Sequence, residues 1–187
     1  MVSSPREKMS VEDFYTFANQ PGHAERHYEL IDGEVVEVPS NAYASVIASL
    51  ISFYIHLFLQ KNDVRGYISG EGGGFVIDGH VFAPDVAYMR DLPTDKGFEQ
   101  QPPLLAVEVL SDPKSNAEQS ELRRKLGHYR RAGVVVWVVD YVARKVEIHL
   151  PDNTVNIYGD EDKLTGGDVL PGFELPVKDI FPNEEKA

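Results

Sequence analysis

The sequence predicts an α/β fold in which two long helices cover the faces of a mixed β-sheet. Three observations predict it. Val46, Ile47, Leu50, Ile51, Tyr54, Leu57 and Phe58 repeat at a helical period, so a helix runs to about Lys61 from a cap at Ser40 or Asn41. A second helix spans about Asn116 to Ala132 and ends at Gly133. On either side of it, Leu104–Leu110 and Val134–Asp140 are nearly continuous apolar runs, as expected of strands covered on both faces.

The remaining elements follow in order. Ser10 before Val-Glu-Asp-Phe reads as the N-cap of a short helix that Pro21-Gly22 ends. Tyr28 and Leu30 before Asp32-Gly33, with Val35, Val36 and Val38 after it, predict a hairpin. Residues 66–69, 74–77 and 81–88 read as short strands punctuated by glycine. Glu71-Gly-Gly-Gly74 is not a phosphate loop, because no Gly-Lys-Ser/Thr follows. Residues 145–150 and 154–158 form a hairpin around Pro151-Asp-Asn153, and the tail, 164–181, reads mostly as loop. The expectation is one domain over residues 1–187, core about 10–181, with no repeat or linker.

Composition narrows the function classes. An apolar share of 42% supports a packed core rather than a disordered chain. The absence of cysteine excludes disulfides, zinc–thiolate sites and thiol nucleophiles. The N-terminus has no apolar signal region, and Val134–Val139, the longest apolar run, is too short to cross a bilayer; a soluble cytoplasmic protein without a membrane role is the expectation. A net charge of −12 repels nucleic acid at long range. Against it, residues 121–131 hold five basic residues and one acid, and screening over roughly 10 Å lets a patch act locally. Arg123, Arg124, Arg130 and Arg131 can contact phosphates there, or form a solvated face.

Two carboxylates fall where strands should be apolar. Asp85 lies within 81–88 and Glu108 within Leu104–Leu110, so each must be paired, protonated or metal-bound. With Leu122 set at zero, 100° per residue puts Lys125 at about 300° and Tyr129 at about 340°, while the four arginines fall between about 80° and 200°. Lys125 is then the one charge in the sheet-facing arc, and Glu108 is its nearest partner in the same strand–loop–helix unit. The pair can be purely structural. Two carboxylates and an amine can also hydrolyse phosphodiesters: the acids hold a hard cation that activates water, and the amine steadies the developing charge. His27, His56, His80, His128 and His149 lack metal-ligand spacing and read as surface residues, Trp137 as core, and Asp140 as a turn former.

The wider pattern resembles a known family. Pro84-Asp85 and Glu108-Val-Leu110 resemble the PD-(D/E)XK restriction-endonuclease-like superfamily. Tyr28-Glu-Leu-Ile-Asp-Gly-Glu34, Pro84-Asp-Val86, Val107-Glu-Val-Leu-Ser111, Lys125 with Tyr129, Ala132-Gly-Val134, Trp137-Val-Val-Asp140 and Leu170-Pro-Gly-Phe173 are similar to the Uma-two family of endonucleases within it. The resemblance covers about Ser10 to Phe181. It implies a restriction-endonuclease-like mixed central sheet flanked by helices, with extra hairpins, and Mg²⁺- or Mn²⁺-dependent hydrolysis of DNA. By position it implies Asp85, Glu108 and the Val109 backbone carbonyl as metal ligands and Glu29 as the early acid. The superfamily's usual lysine falls on Leu110, and Lys125 matches its displaced alternative on the helix. Glu121 and Tyr129 are supporting candidates. This chain departs from the family in having Tyr43 where a His is expected and Glu121 where an Asp is expected.

An endonuclease acting on DNA, as a homodimer that addresses two strands, is the leading expectation. The alternatives are a catalytically silent module of the same fold that binds nucleic acid or protein, and an RNA or nucleotide hydrolase. No base-reading motif or subunit interface is legible.

Overall fold

A computed structural model of the chain describes residues 8–23, 26–38, 41–94 and 96–182. The elements run α1 (Val11–Ala18), β1 (Tyr28–Ile31), β2 (Glu34–Glu37), α2 (Ala42–Lys61), β3 (Tyr67–Gly70), β4 (Phe75–Ile77), β5 (His80–Phe82), β6 (Val86–Met89), β7 (Leu105–Val109), α3 (Asn116–Arg131), β8 (Val135–Asp140), β9 (Lys145–His149), β10 (Val155–Tyr158), β11 (Lys163–Gly166) and β12 (Leu170–Pro176), then a 3-10 turn, Val177–Ile180. Six strands form the main sheet in the order β10-β9-β8-β7-β6-β3. It is mixed: β7 and β8 are parallel across α3 and the other pairs antiparallel. A second sheet, β2-β1-β5-β4, is built from two hairpins.

Caps place the helices. Ser10 and Ser115 accept from the Asp13 and Glu118 amides, and Asn41 accepts from Tyr43 and Ala44. Ser40, the other cap expected for α2, lies outside the described residues. The Glu118 carboxylate also takes the Ser111 and Asp112 amides, which ties the loop after β7 to the first turn of α3. Gly133, at φ +75°, stops α3 as expected.

Alternation along β7 sorts the core into two layers. Leu105, Val107 and Val109 face α2, with Val86, Tyr88 and Trp137. Ala106 and Leu110 face α3 and the second sheet, with Ala87, Val136 and Val138. Glu108 shares the α3 side with Ala106 and Leu110, so the one acid of β7 points at the helix that carries Lys125.

Two expectations change. Residues 81–88 are not one strand: β5 belongs to the second sheet and β6 to the main sheet. Residues 83–85 cross between them at Pro84, whose missing N–H breaks a ladder. Asp85 therefore sits at the crossover. Val86 pairs with Val107, and one more step of that register sets Asp85 opposite Glu108. The tail is also more ordered than expected, with β11 and β12 forming a hairpin. Leu164, Leu170, Phe173 and Leu175 are buried in the α2-side core, an alternation that the Gly-Gly and Pro-Gly pairs obscure.

Close packing at the sheet edge yields a test. A Cβ on Gly66 would come 2.3 Å from Cε2 of Tyr88, which is buried. Gly66→Ala is expected to destabilise the fold by about 1–3 kcal/mol, read as a lower urea midpoint with unchanged slope.

Candidate active site

A buried ammonium organises the cleft between the two sheets. Lys125 Nζ donates to Glu29 Oε1 and to Glu108 Oε2, each at 2.8 Å. Glu29 comes from β1 and also accepts the Ala83 amide at 2.8 Å, at the start of the crossover. The other oxygen of Glu108 accepts from the Tyr129 hydroxyl at 2.6 Å, one helical turn beyond Lys125. Asp85 Oδ2 accepts the Val109 amide at 2.6 Å. Thus β1, the 83–85 crossover, β7 and α3 converge on one point. Asp85, Glu108, Lys125 and Glu29, the four residues singled out from sequence, all line the same cleft, and Val109 lines it with them.

Burial sets the electrostatics. It drives the Asp85 carboxyl up to about 7, and the neighbouring Glu108 adds to the rise against the opposing Val109 amide. Burial also raises Glu29, partly offset by Lys125. For Lys125, burial disfavours the charge, but Glu108 and Glu29 outweigh it and hold the ammonium well above its ordinary range. Burial and the same two acids push the Tyr129 phenol up. At neutral pH Lys125 and Tyr129 are therefore donors, and Asp85 is the group poised to exchange a proton.

The cleft is strongly acidic. Glu71, Glu118 and Glu121 join Glu29, Asp85 and Glu108 around Lys125. Glu121 was marked from sequence. In the sequence Glu71 is hidden by the glycine run around it, and Glu118 by its place in the first turn of a helix. Asn41 and Ser45, at the start of α2, form another wall.

The four arginines of α3 divide. Arg123 and Arg130 face outward, and Arg130 bonds Asn153. Arg124 instead pairs with Asp32 at 2.7 Å and Glu34 at 3.1 Å, and donates to the Ile31 carbonyl. Arg131 pairs with Asp78 at 2.7 Å. Both partners sit in Asp-Gly hairpin turns with positive φ at Asp32, Gly33, Asp78 and Gly79. Arg124, aided by His128, holds Asp32 below the usual carboxylate range, and His128, aided by Arg131, does the same for Asp78. His128 is not a surface residue: it is buried, 3.0 Å from Asp32 and 2.9 Å from Asp78. Its helix angle, between Lys125 and Arg124, was the signal that spacing to other histidines hid.

Asp32, His80 and His128 bring ligand atoms within 4.8 Å of one another. Their donors are already engaged. Arg124 holds Asp32, and His80 Nδ1 accepts the Asp32 amide at 3.1 Å, so a neutral His80 ring carries its proton on Nε2 and offers no lone pair to an ion. The cluster acts as a clamp that docks both turns of the second sheet on α3.

Comparison with known proteins supplies a family and a fold. Residues 11–178 match the Uma2 family model, described as "Putative restriction endonuclease". No curated protein matches the chain. Among solved structures, a crystal structure of a putative nuclease belonging to DUF820 from Anabaena variabilis superposes with a TM-score of 0.75 at 17% identity, over 92% of this chain and 97% of that one. At that identity the likeness shows the fold.

The Asp85 carboxyl makes stability depend on pH. Its folded pKa, about 7, exceeds the ordinary 3.8. Its contribution is therefore fully present below about pH 4 and lost as pH rises through 7. Above that, the ionised group costs up to about 4 kcal/mol. Asp85→Asn keeps the Val109 bond without the charge. In EDTA it is expected to be more stable than wild type at pH 8.5, and no more stable at pH 4, by urea denaturation; a difference that does not grow with pH would remove the carboxyl from this role.

Proposed function

The chain belongs to the Uma2 restriction-endonuclease family, and from that premise we propose that it is a divalent-cation-dependent endonuclease that hydrolyses DNA in the cleft around Lys125. One observation carries the reading. An ammonium from α3 bridges Glu29 and Glu108 at 2.8 Å, with Asp85 set across the strand register from Glu108.

The donor set fits a hard cation. It offers only oxygen, and Glu108 stands close enough to Asp85 to disfavour its charge, which a cation would relieve. Asp85, Glu108 and the Val109 carbonyl would hold Mg²⁺ or Mn²⁺, which when bound supplies an activated water and offsets phosphate charge. Lys125 stays protonated, so it serves as a hydrogen-bond donor that orients the attacking water and steadies charge on the phosphate, not as a base. Glu29 keeps that ammonium in place, and Tyr129 fixes the rotamer of Glu108. Asp85 would give up its proton to ligate the cation, so affinity for it would rise with pH through about 7.

A second reading, a silent module of this fold, draws on charge: the net charge is −12, and Arg124 and Arg131 are spent on internal ion pairs. Digestion of supercoiled, linear and single-stranded DNA and of RNA, with Mg²⁺, Mn²⁺ or EDTA, separates the readings. Cleavage of DNA with a metal requirement supports the first, and inertness toward every substrate supports the second.

The acidic cleft predicts an order of binding. Six carboxylates face one lysine there, so phosphate enters only after the cation. In Ca²⁺, which supports ligation, DNA affinity is expected to exceed that in EDTA by at least about tenfold at constant ionic strength; equal affinities would place the DNA elsewhere.

Lys125 gives the mutational test. Lys125→Ala is expected to abolish cleavage and, by leaving Glu29 and Glu108 without their partner, to cost about 3–5 kcal/mol in EDTA. Mg²⁺ should recover part of that loss in Tm. Leu110, on the same face of the chain as Glu108 and lining the cleft, can carry the ammonium instead. Leu110→Lys on the Lys125→Ala background is expected to restore measurable but incomplete cleavage, since an error of about 1 Å costs on the order of a hundredfold. Wild-type cleavage by Lys125→Ala would make the lysine structural only.

A further inference from the structure

α2 is apolar on both sides, and the described residues cover only one. Its inner side, Ala44, Ile47, Ala48, Ile51, Ile55 and Leu59, is buried against the main sheet. Its outer side carries Tyr43, Val46, Leu50, Phe53 and Leu57, at alternating steps of three and four residues. Val46 is 48% and Phe53 57% exposed, while Leu50 and Leu57 are half-buried. A helix apolar all round is ordinarily covered all round, and steps of three and four are the spacing at which one helix packs its ridge against another.

Charge identifies what covers it. From Ala42 to Gln60 there is no Asp, Glu, Lys or Arg. A protein of net charge −12 repels a copy of itself over most of its surface, but not here. Another exposed apolar pair among the described residues, Val155 and Ile157 on β10, is bracketed by Asp152 and by Asp160, Glu161 and Asp162, so antiparallel pairing of two copies there would set acid against acid. A membrane surface fits less well, because a helix lying on lipid carries lysine and arginine along its polar side.

We infer that the outer face of α2 is the contact between two copies of this chain, packed antiparallel about a two-fold axis near Leu50. The same patch on both copies closes the assembly at two. The first turn of α2 also borders the cleft through Asn41 and Ser45, so this pairing would hold two clefts in one rigid unit, one for each strand of a duplex.

Sedimentation and light scattering of the full chain at micromolar concentration test this. Wild type is expected at about twice the 20.9 kDa chain mass. Val46→Glu and Phe53→Glu, at exposed positions, should melt normally yet raise the dimer Kd roughly 30-fold or more, as for a lost interface anchor. Ile157→Glu should remain dimeric. Because the chain has no cysteine, Ser49→Cys, beside the proposed axis, should oxidise to a covalent dimer, and Gln60→Cys, far from it, should not. A monomeric wild type, dimers that survive both α2 substitutions, dissociation by Ile157→Glu, absence of the Ser49→Cys cross-link, or flotation of wild type with phosphatidylglycerol vesicles would each overturn the inference.

Discussion

The structure depends on one buried cation. Lys125 is 7% and Glu29 3% exposed, and in such a setting an unpaired charge would cost several kcal/mol. Lys125 meets that cost with two carboxylates from two different sheets, Glu29 on β1 and Glu108 on β7. The ion triad is thus also a joint. It fixes the distance between the main sheet, the second sheet and α3, and it leaves Asp85 on the same side, held by the Val109 amide. The most polar point of the interior is where three elements must meet, and the cost of leaving any member unpaired keeps them there.

A second joint lies beside it and spans about two turns of α3. Arg124, His128 and Arg131 grip the Asp32-Gly33 and Asp78-Gly79 turns. Type I′ turns need positive φ at both central residues, which Asp tolerates and Gly prefers, so the turn chemistry that closes each hairpin also supplies the acid that docks it. These contacts are partly exposed and individually modest. Their value is geometric: they set the tilt of β1, and with it the position of Glu29 beside Lys125.

This division of labour explains an acidic protein in a family of nucleases. Half of the α3 arginines are consumed in assembling the cleft rather than in attracting phosphate, and the cleft itself is lined by six acids. On the proposed function, such a site would reject polyanions until a bound cation changed its sign. Selectivity of this kind rests on the local field of a desolvated cleft, which bulk charge does not describe.

The sequence by itself determined the layers and named most of the residues that meet in the candidate site. Periodicity placed α2 and α3, apolar runs placed β7 and β8, Asp32-Gly33 placed the first hairpin, and one lysine in an apolar arc pointed to Glu108, whereas Glu29 came only with the family resemblance. Each of these is a local pattern, legible because burial repeats with the geometry of a single element. Only the tertiary structure decided the rest. It split residues 81–88 at Pro84 and turned Asp85 into a crossover residue, because which sheet a strand joins depends on partners distant in the chain. It ordered the β11–β12 tail, whose alternation is interrupted by turn residues. It buried His128 and spent Arg124 and Arg131 on two turns 46 residues apart (Asp32 and Asp78), since a charge on a helix reads the same in sequence whether it faces water or an acid carried in from elsewhere by the fold.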